Sequence, residues 1–170
     1  MNRRFRQQRP SLTRIVKRKL VTFQLGQEKY AIAIERVQRV LHEFTPQGVL
    51  TSGQSLMAEG GQPITIVDLA TFFVSSEELR DWAKPSAKSD RHYLMICTLA
   101  NREIFGIPVP EIPKVVEVLE TEFSEVPALY RQGNYPAAIE KIICLPENQV
   151  IFYLNIDLLF SKTVANGSGI

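Results

Sequence analysis

The chain has few of the residues that carry chemistry. Its 170 residues include two histidines and two cysteines, and none of the four has a motif neighbour. His42 follows an apolar stretch, His92 stands beside Arg91, and Cys97 and Cys144 are remote from each other and from both histidines. Nucleophilic catalysis needs a nucleophile, a base and an orienting group within reach of one another, and a metal site needs clustered ligands. No catalytic residue, no metal ligand and no cofactor is therefore expected. The pair Gly60-Gly61 lacks the spacing and the Lys-Ser/Thr of a phosphate loop and reads as a turn. Asp68, bracketed by apolar residues, reads as an acid at a strand end that caps the helix after it, since no second acid accompanies it.

Long hydrophobic runs are missing too. The longest, such as Leu94 to Cys97 and Ile142 to Leu145, fall far short of the roughly 20 residues that span a bilayer as a helix. A soluble, cytoplasmic protein is expected, with both cysteines reduced and buried inside those strand-like runs. With 45% hydrophobic residues the chain can build its core without staples.

Acids are absent before Glu28, while Arg3, Arg4, Arg6, Arg9, Arg14, Lys17, Arg18 and Lys19 all precede Leu20. The net charge of +2 thus divides into a start of +8 and a remainder of −6. Residues 1–19 read as a basic disordered arm drawn to anionic surfaces, 20–160 as the folded body and 161–170 as a flexible tail.

What the body does contain is a repeat. Leu25 to Val40 (LGQEKYAIAIERVQRV) lies over Phe105 to Val115 (FGIPVPEIPKV), so that Tyr30 meets Phe105, Ala31 meets Gly106, Ile32 meets Ile107, Val37 meets Ile112 and Val40 meets Val115. IVDLATFF (Ile66 to Phe73) then lies over YLNIDLLF (Tyr153 to Phe160). The period is too long for a solenoid and implies one small module used twice. Tyr30, Phe72, Phe73, Phe105 and Phe160 fall on repeat positions and are expected in the core.

Leu20 to Leu25 and Tyr30 to Ile34 read as a hairpin around a tight link, followed by a helical turn or bent strand through Val37 and Leu41. Thr45 to Pro63 reads as a long loop touched by one short apolar segment, Ser55 to Ala58, before a strand over Ile64 to Leu69. Ser75 to Arg91 reads as a short helix and a link. The second copy opens with His92 to Leu99 and Ile104 to Val109, meets prolines 108, 110 and 113 at an edge or bend, and resumes at Lys114 to Leu119. Glu122 to Ala138 reads as a loop, and Ile139 to Leu145 pairs with Gln149 to Ile156. Many short strands and little helix predict an all-β protein of small barrels or a sandwich.

The run L-G-x-E-x-Y-x-I-x-I-x-x-V-Q-x-V, here Leu25, Gly26, Glu28, Tyr30, Ile32, Ile34, Val37, Gln38 and Val40, resembles the opening of CheW-like domains, the coupling proteins of bacterial chemosensory systems. Pro63 to Leu69, Phe105 to Val115 and Asn155 to Leu159 extend the resemblance from Leu20 to Phe160. It implies two packed SH3-like five-stranded barrels, the first mainly 20–75, the second mainly 91–150, closed by a strand and short helix over 150–160. It also implies a non-catalytic adaptor between the cytoplasmic tip of a methyl-accepting-type receptor and the regulatory domain of a CheA-like histidine kinase. Such adaptors serve flagellar chemotaxis, type IV pilus motility or phototaxis, act on no small-molecule substrate, and join the membrane only indirectly, at receptor arrays. Carried over by position, receptor binding falls to Val37, Gln38 and Arg39, and kinase binding to Leu56, Met57, Gly60 and Gly61. Two positions depart from the family pattern. Its N-L-R-G arginine is replaced by Gly60, and Arg39 stands where relatives often carry an acid, which together imply an altered partner. The alternative function is nucleic-acid binding through the basic arm. Against it stand the net acidic body and an arm whose single aromatic is Phe5.

Overall fold

Strand runs such as LMIC (Leu94 to Cys97) are apolar on both faces because both faces are covered. In the computed structural model, which describes residues 14–73, 93–133 and 136–161, each of two curled sheets wraps a small core of its own and packs its other face against a larger shared core. The strands are β1 (Lys17–Leu25), β2 (Glu28–Ala33), β3 (Val37–His42), β4 (Gln54–Glu59), β5 (Gln62–Val67), β6 (Tyr93–Thr98), β7 (Ile104–Val109), β8 (Lys114–Leu119), β9 (Phe123–Ser124), β10 (Ile139–Leu145) and β11 (Gln149–Leu154). Among the described residues three short α-helices accompany them: α1 (Ala70–Phe73), α2 (Ala128–Gln132) and α3 (Ile156–Ser161).

One sheet runs β8-β1-β2-β11-β10-β9 and the other β3-β6-β7-β5-β4. The fold is all-β with two β subdomains, as expected, but the subdomains do not follow the chain. The hairpin β1–β2 of the first copy completes the sheet of the second, and the hairpin β6–β7 of the second completes the sheet of the first. The division into a first barrel at 20–75 and a second at 91–150 is corrected accordingly: each sheet draws strands from both halves. The repeat itself is confirmed at the paired positions, though not at Val37 and Ile112, of which the first packs against the shared core and the second is exposed between β7 and β8. In the parallel pairings Tyr153 lies opposite Ala31 while Ile66 lies opposite Gly106, and in the antiparallel ones Val115 lies opposite Val21 while Val40 lies opposite Met95. These are the equivalences the sequence alignment of the two copies predicts.

The shared core is built from alternate residues of the two hairpins, including Val21, Phe23, Tyr30, Ile32, Met95, Cys97, Phe105 and Ile107, with Leu154, Ile156 and Leu159 from the chain's end. The intervening residues turn the other way. Leu20, Ala31, Val118, Ile143, Ile151 and Tyr153 fill one sheet, and Ile64, Ile66, Leu94 and Ile96 fill the other. Tyr30 stacks on Phe23 and Phe73 and meets Phe152. Phe105 packs edge-on against Phe160, so these core aromatics stand as expected. The side chain of Phe72 lies outside the described ones. At Gly106 a Cβ would stand 2.8 Å from the Leu94 side chain, which explains a glycine where the twin strand accepts Ala31.

Asp68 caps α1 as expected, its Oδ1 accepting from the Ala70 amide at 3.1 Å. Its twin Asn155 does the same for the Asp157 amide at 3.2 Å. Asp157 ties the halves together, accepting from Arg36 Nη2 at 2.9 Å and from the Ala100 amide at 2.8 Å.

Three expectations are corrected. Gln54 to Glu59 is a full strand, not part of a loop, because a two-residue turn pairs it with β5 from Glu59↔Gln62 to Gln54↔Val67. The arm ends sooner than expected. β1 starts at Lys17, and Lys17, Arg18 and Lys19 pair with Leu119, Val118 and Glu117 of β8. Finally, only Cys97 is a core cysteine, while Cys144 is exposed and both are free. Cys144 follows buried Ile143, and the period-two alternation of a strand turns it outward. The expected helix and link over Ser75 to Arg91 and the tail 161–170 fall outside the described residues, apart from the backbone of Ser161.

The two thiols give a direct check on the core. Burial pushes the Cys97 thiol from 9.0 up to about 12, so neither access nor ionisation favours its reaction near neutral pH. A thiol reagent at pH 8 is expected to titrate one group in the native protein and two in denaturant. Because the native pKa is the higher one, Cys97 favours the fold fully below the unfolded value of 9.0. That contribution is lost as pH rises from there towards about 12. Two thiols reacting at equal rates in the native protein would refute the buried position.

Candidate protein-docking site

The chain leaves β2 through a single 3-10 turn at Ile34–Arg36 and enters β3 at the edge of its sheet. The ladder with β6 slips between Val37, opposite Cys97, and Arg39, opposite Ile96. Gln38 is the additional residue of this bulge, a device common at edges that re-aims side chains. The three predicted receptor residues therefore differ in direction. Val37 is half-buried and packs against the shared core. Gln38 is exposed and its Nε2 donates to Thr98 Oγ1 at 2.7 Å. Arg39 reaches along the surface, its Nη2 2.9 Å from Glu59 Oε1.

Glu59 closes the β4–β5 hairpin. Gly60 and Gly61 have φ of 56° and 77°, the left-handed geometry at both central positions that a two-residue hairpin turn of this kind requires and that glycine adopts without steric cost. A Cβ at either would meet nothing within 4 Å, so the turn stands clear of the body. On β4, Leu56 is 50% exposed, and Met57 is half-buried against Ile64, Ile66, Leu94 and Ile96. The four residues assigned to the kinase thus form one hairpin end with an apolar shoulder.

β3 and β4 are the two outermost strands of their sheet. The Arg39–Glu59 pair joins those edges, so the two sequence-derived sites, expected as separate interfaces, meet through one ion pair. The pair is not fully satisfied. Glu59 Oε2 is buried and has no hydrogen-bond partner. Glu59 is not among the residues predicted for either site. The one sign of its role there was an acid of opposite charge to the unusual Arg39.

Of the arm cations, Arg3, Arg4, Arg6 and Arg9 lie outside the described residues, and Arg14 is exposed. The last three belong to the sheet. Lys17 stands 3.6 Å from Glu117. Arg18 donates to the Tyr153 hydroxyl at 2.8 Å and lies over the rings of Phe123 and Tyr153 at 4.9 and 5.1 Å. The charges of Lys17 and Arg18 are directed at this chain rather than at an outside anion, whereas Lys19 is exposed. A second ionic network lies on the same sheet, where Glu125 accepts from Lys141 and Arg131 at 2.8 and 3.1 Å. The Lys141 hydrogen bond, chiefly, lowers the Glu125 carboxyl below its ordinary range, and Glu125 in turn raises Lys141. Among the described residues no three of His, Cys, Asp and Glu converge as a metal site, and no helix is long and apolar enough to cross a membrane.

The comparisons with known proteins agree with this architecture. No curated protein sequence matches significantly. Among solved structures, the crystal structure of the scaffolding protein TtCheW from Thermoanaerobacter tengcongensis superposes with a TM-score of 0.66 at 18% identity, covering 86% of this chain and 89% of that one. The model of the CheW-like domain matches residues 19–164. With nearly all of the folded body matched by that one model, the chain belongs to the CheW-like domain family.

Proposed function

We propose that this protein is a non-catalytic adaptor of a chemosensory two-component pathway, coupling the cytoplasmic tip of a methyl-accepting-type receptor to the regulatory domain of a CheA-like histidine kinase. The observation that carries the proposal is a body of two sheets locked by exchanged hairpins, which presents an exposed edge strand and a protruding hairpin turn side by side. Rigid scaffolds that offer edges and loops suit simultaneous binding of two partners. In this reading the receptor helix packs by Val37, Gln38 and Arg39, and the kinase domain seats on Leu56, Met57, Gly60 and Gly61. The protein acts in the cytoplasm at receptor arrays and reaches the membrane through the receptor. Arg14 and Lys19, both exposed, are the described cations of the arm left to meet anionic surfaces, a role we extend to Arg3, Arg4, Arg6 and Arg9 from their charge alone. Nucleic-acid binding draws less support, since Lys17 and Arg18 are engaged within the sheet.

Titration of the protein with a receptor signalling tip and with a kinase regulatory domain tests the proposal, and saturable binding of both to one molecule is the expected result. Arg39→Glu sets two carboxylates against each other across the edge and is expected to weaken receptor-tip binding at least tenfold, about 1.4 kcal/mol. The melting temperature should fall modestly, because Arg39 is half exposed but Glu59 is only 24% exposed and loses its hydrogen-bond donor. Unchanged affinity for both partners would remove Arg39 from the interface.

A further inference from the structure

The internal repeat supplies a control for every surface residue, and Glu59 fails it. Ile66 and Tyr153 are twins by their pairing with Gly106 and Ala31. Stepping back along both hairpins, Met57 opposite Ile64 matches Ile143 opposite Ile151, and Glu59 matches Leu145. Leu145 packs against the inner core of its sheet. The equivalent place in the other sheet is thus built for an apolar side chain and holds a carboxylate instead. Arg39 answers half of that carboxylate, as Nη2 meets Oε1 at 2.9 Å. The other oxygen is buried and unanswered, which is unfavourable for folding because the lost hydration is not replaced. The fold alone gives no reason to keep an acid there.

We infer that Glu59 is a specificity-determining residue of the β4–β5 hairpin end, and that it recognises a cationic side chain, Arg or Lys, on the kinase regulatory domain seated there. A carboxylate can accept several hydrogen bonds, and an ionised donor gives the strongest. The Glu59 side chain is still 24% exposed, and a Cβ at Gly60 or Gly61 would meet nothing within 4 Å, so a partner can approach the hairpin end and reach the second oxygen by a small turn of the carboxylate. Half-exposed Leu56, on the opposite face of this edge strand from Glu59, adds apolar surface to the same hairpin. Arg39 holds the carboxylate aimed until the partner arrives. The inference rests on the adaptor reading above and adds to it the charge sign of the partner.

The test uses the full-length chain, with the Glu59→Leu variant, which restores the twin's residue, and the near-isosteric Glu59→Gln. Thermal melting and titration against a kinase regulatory domain at low and high salt are the two readouts. The expected result is a melting temperature for Glu59→Leu equal to or above wild type, with affinity reduced at least tenfold in both variants and a flatter salt dependence than wild type. A lower melting temperature in Glu59→Leu would make Glu59 a structural residue and overturn the inference. Wild-type affinity in either variant, or weakened binding with the salt dependence unaltered, would overturn it as well. Should the unaltered protein bind no kinase regulatory domain, the adaptor reading falls and this inference with it. That failure is distinguishable because it is seen in the wild type.

Discussion

Cut within residues 74–92 and expressed as two separate pieces, the protein is expected to yield two unfolded chains that regain structure when combined. Each piece keeps one of the exchanged hairpins, β1–β2 or β6–β7, together with the remaining strands of a sheet that only the other piece can complete. β1 and β2 alone would expose Val21, Phe23, Tyr30 and Ile32, all of which the shared core covers. A lone hairpin in water is marginal at best. Circular dichroism of each piece should lack native strand signal, and an equimolar mixture should recover it. A first piece that folded by itself, with a cooperative thermal transition, would overturn the exchanged topology.

Tyr30→Ala is expected to be the most damaging single truncation on the hairpins. Tyr30 is buried and touches rings from three other elements: Phe23 at 6.1 Å, Phe73 at 5.0 Å and Phe152 at 5.6 Å between centroids. Removing a buried aromatic costs about 3–5 kcal/mol through lost burial and the cavity left behind. For a domain of this size that lowers the melting temperature by roughly 6–20 °C. Tyr130, exposed to 46% and stacked on the outer side of Phe152, is the matched comparison, and Tyr130→Ala should cost far less. Equal losses at the two positions would mean that the shared core is not where the stability resides.

The repeat, the strands and the core aromatics were legible in the sequence because they depend on neighbours along the chain. Alternation and small residues at fixed offsets place Tyr30 against Phe105 without any knowledge of partners. The exchange of hairpins was not legible, since period two tells which face a residue takes but not which strand lies beside it. β4 was missed for another reason: Gln54 to Glu59 is half polar, and its mark was the Gly60-Gly61 dipeptide, a two-residue hairpin signal between two potential strands. Cys144 could have been placed outside, since it alternates with Ile143. Of the candidate site, the residues were within reach but their meeting was not. Arg39 and Glu59 come together only because their sheet curls until its edges approach. Arg18 was hidden by its company, a cation counted with the arm although its guanidinium lies against two rings of the fold.

The exchanged hairpins make the protein a swapped homodimer written as one polypeptide. Two copies of a half-length ancestor could each lend a hairpin to the other and so complete both sheets, the usual logic of domain swapping. Joining them end to end turns a second-order association into an intramolecular one, with the connecting segment setting an effective concentration that dilution cannot lower. Stability ceases to depend on how much protein the cell makes. The two halves are then free to diverge, which identical subunits cannot do, and a carboxylate can stand at 59 while a leucine remains at 145.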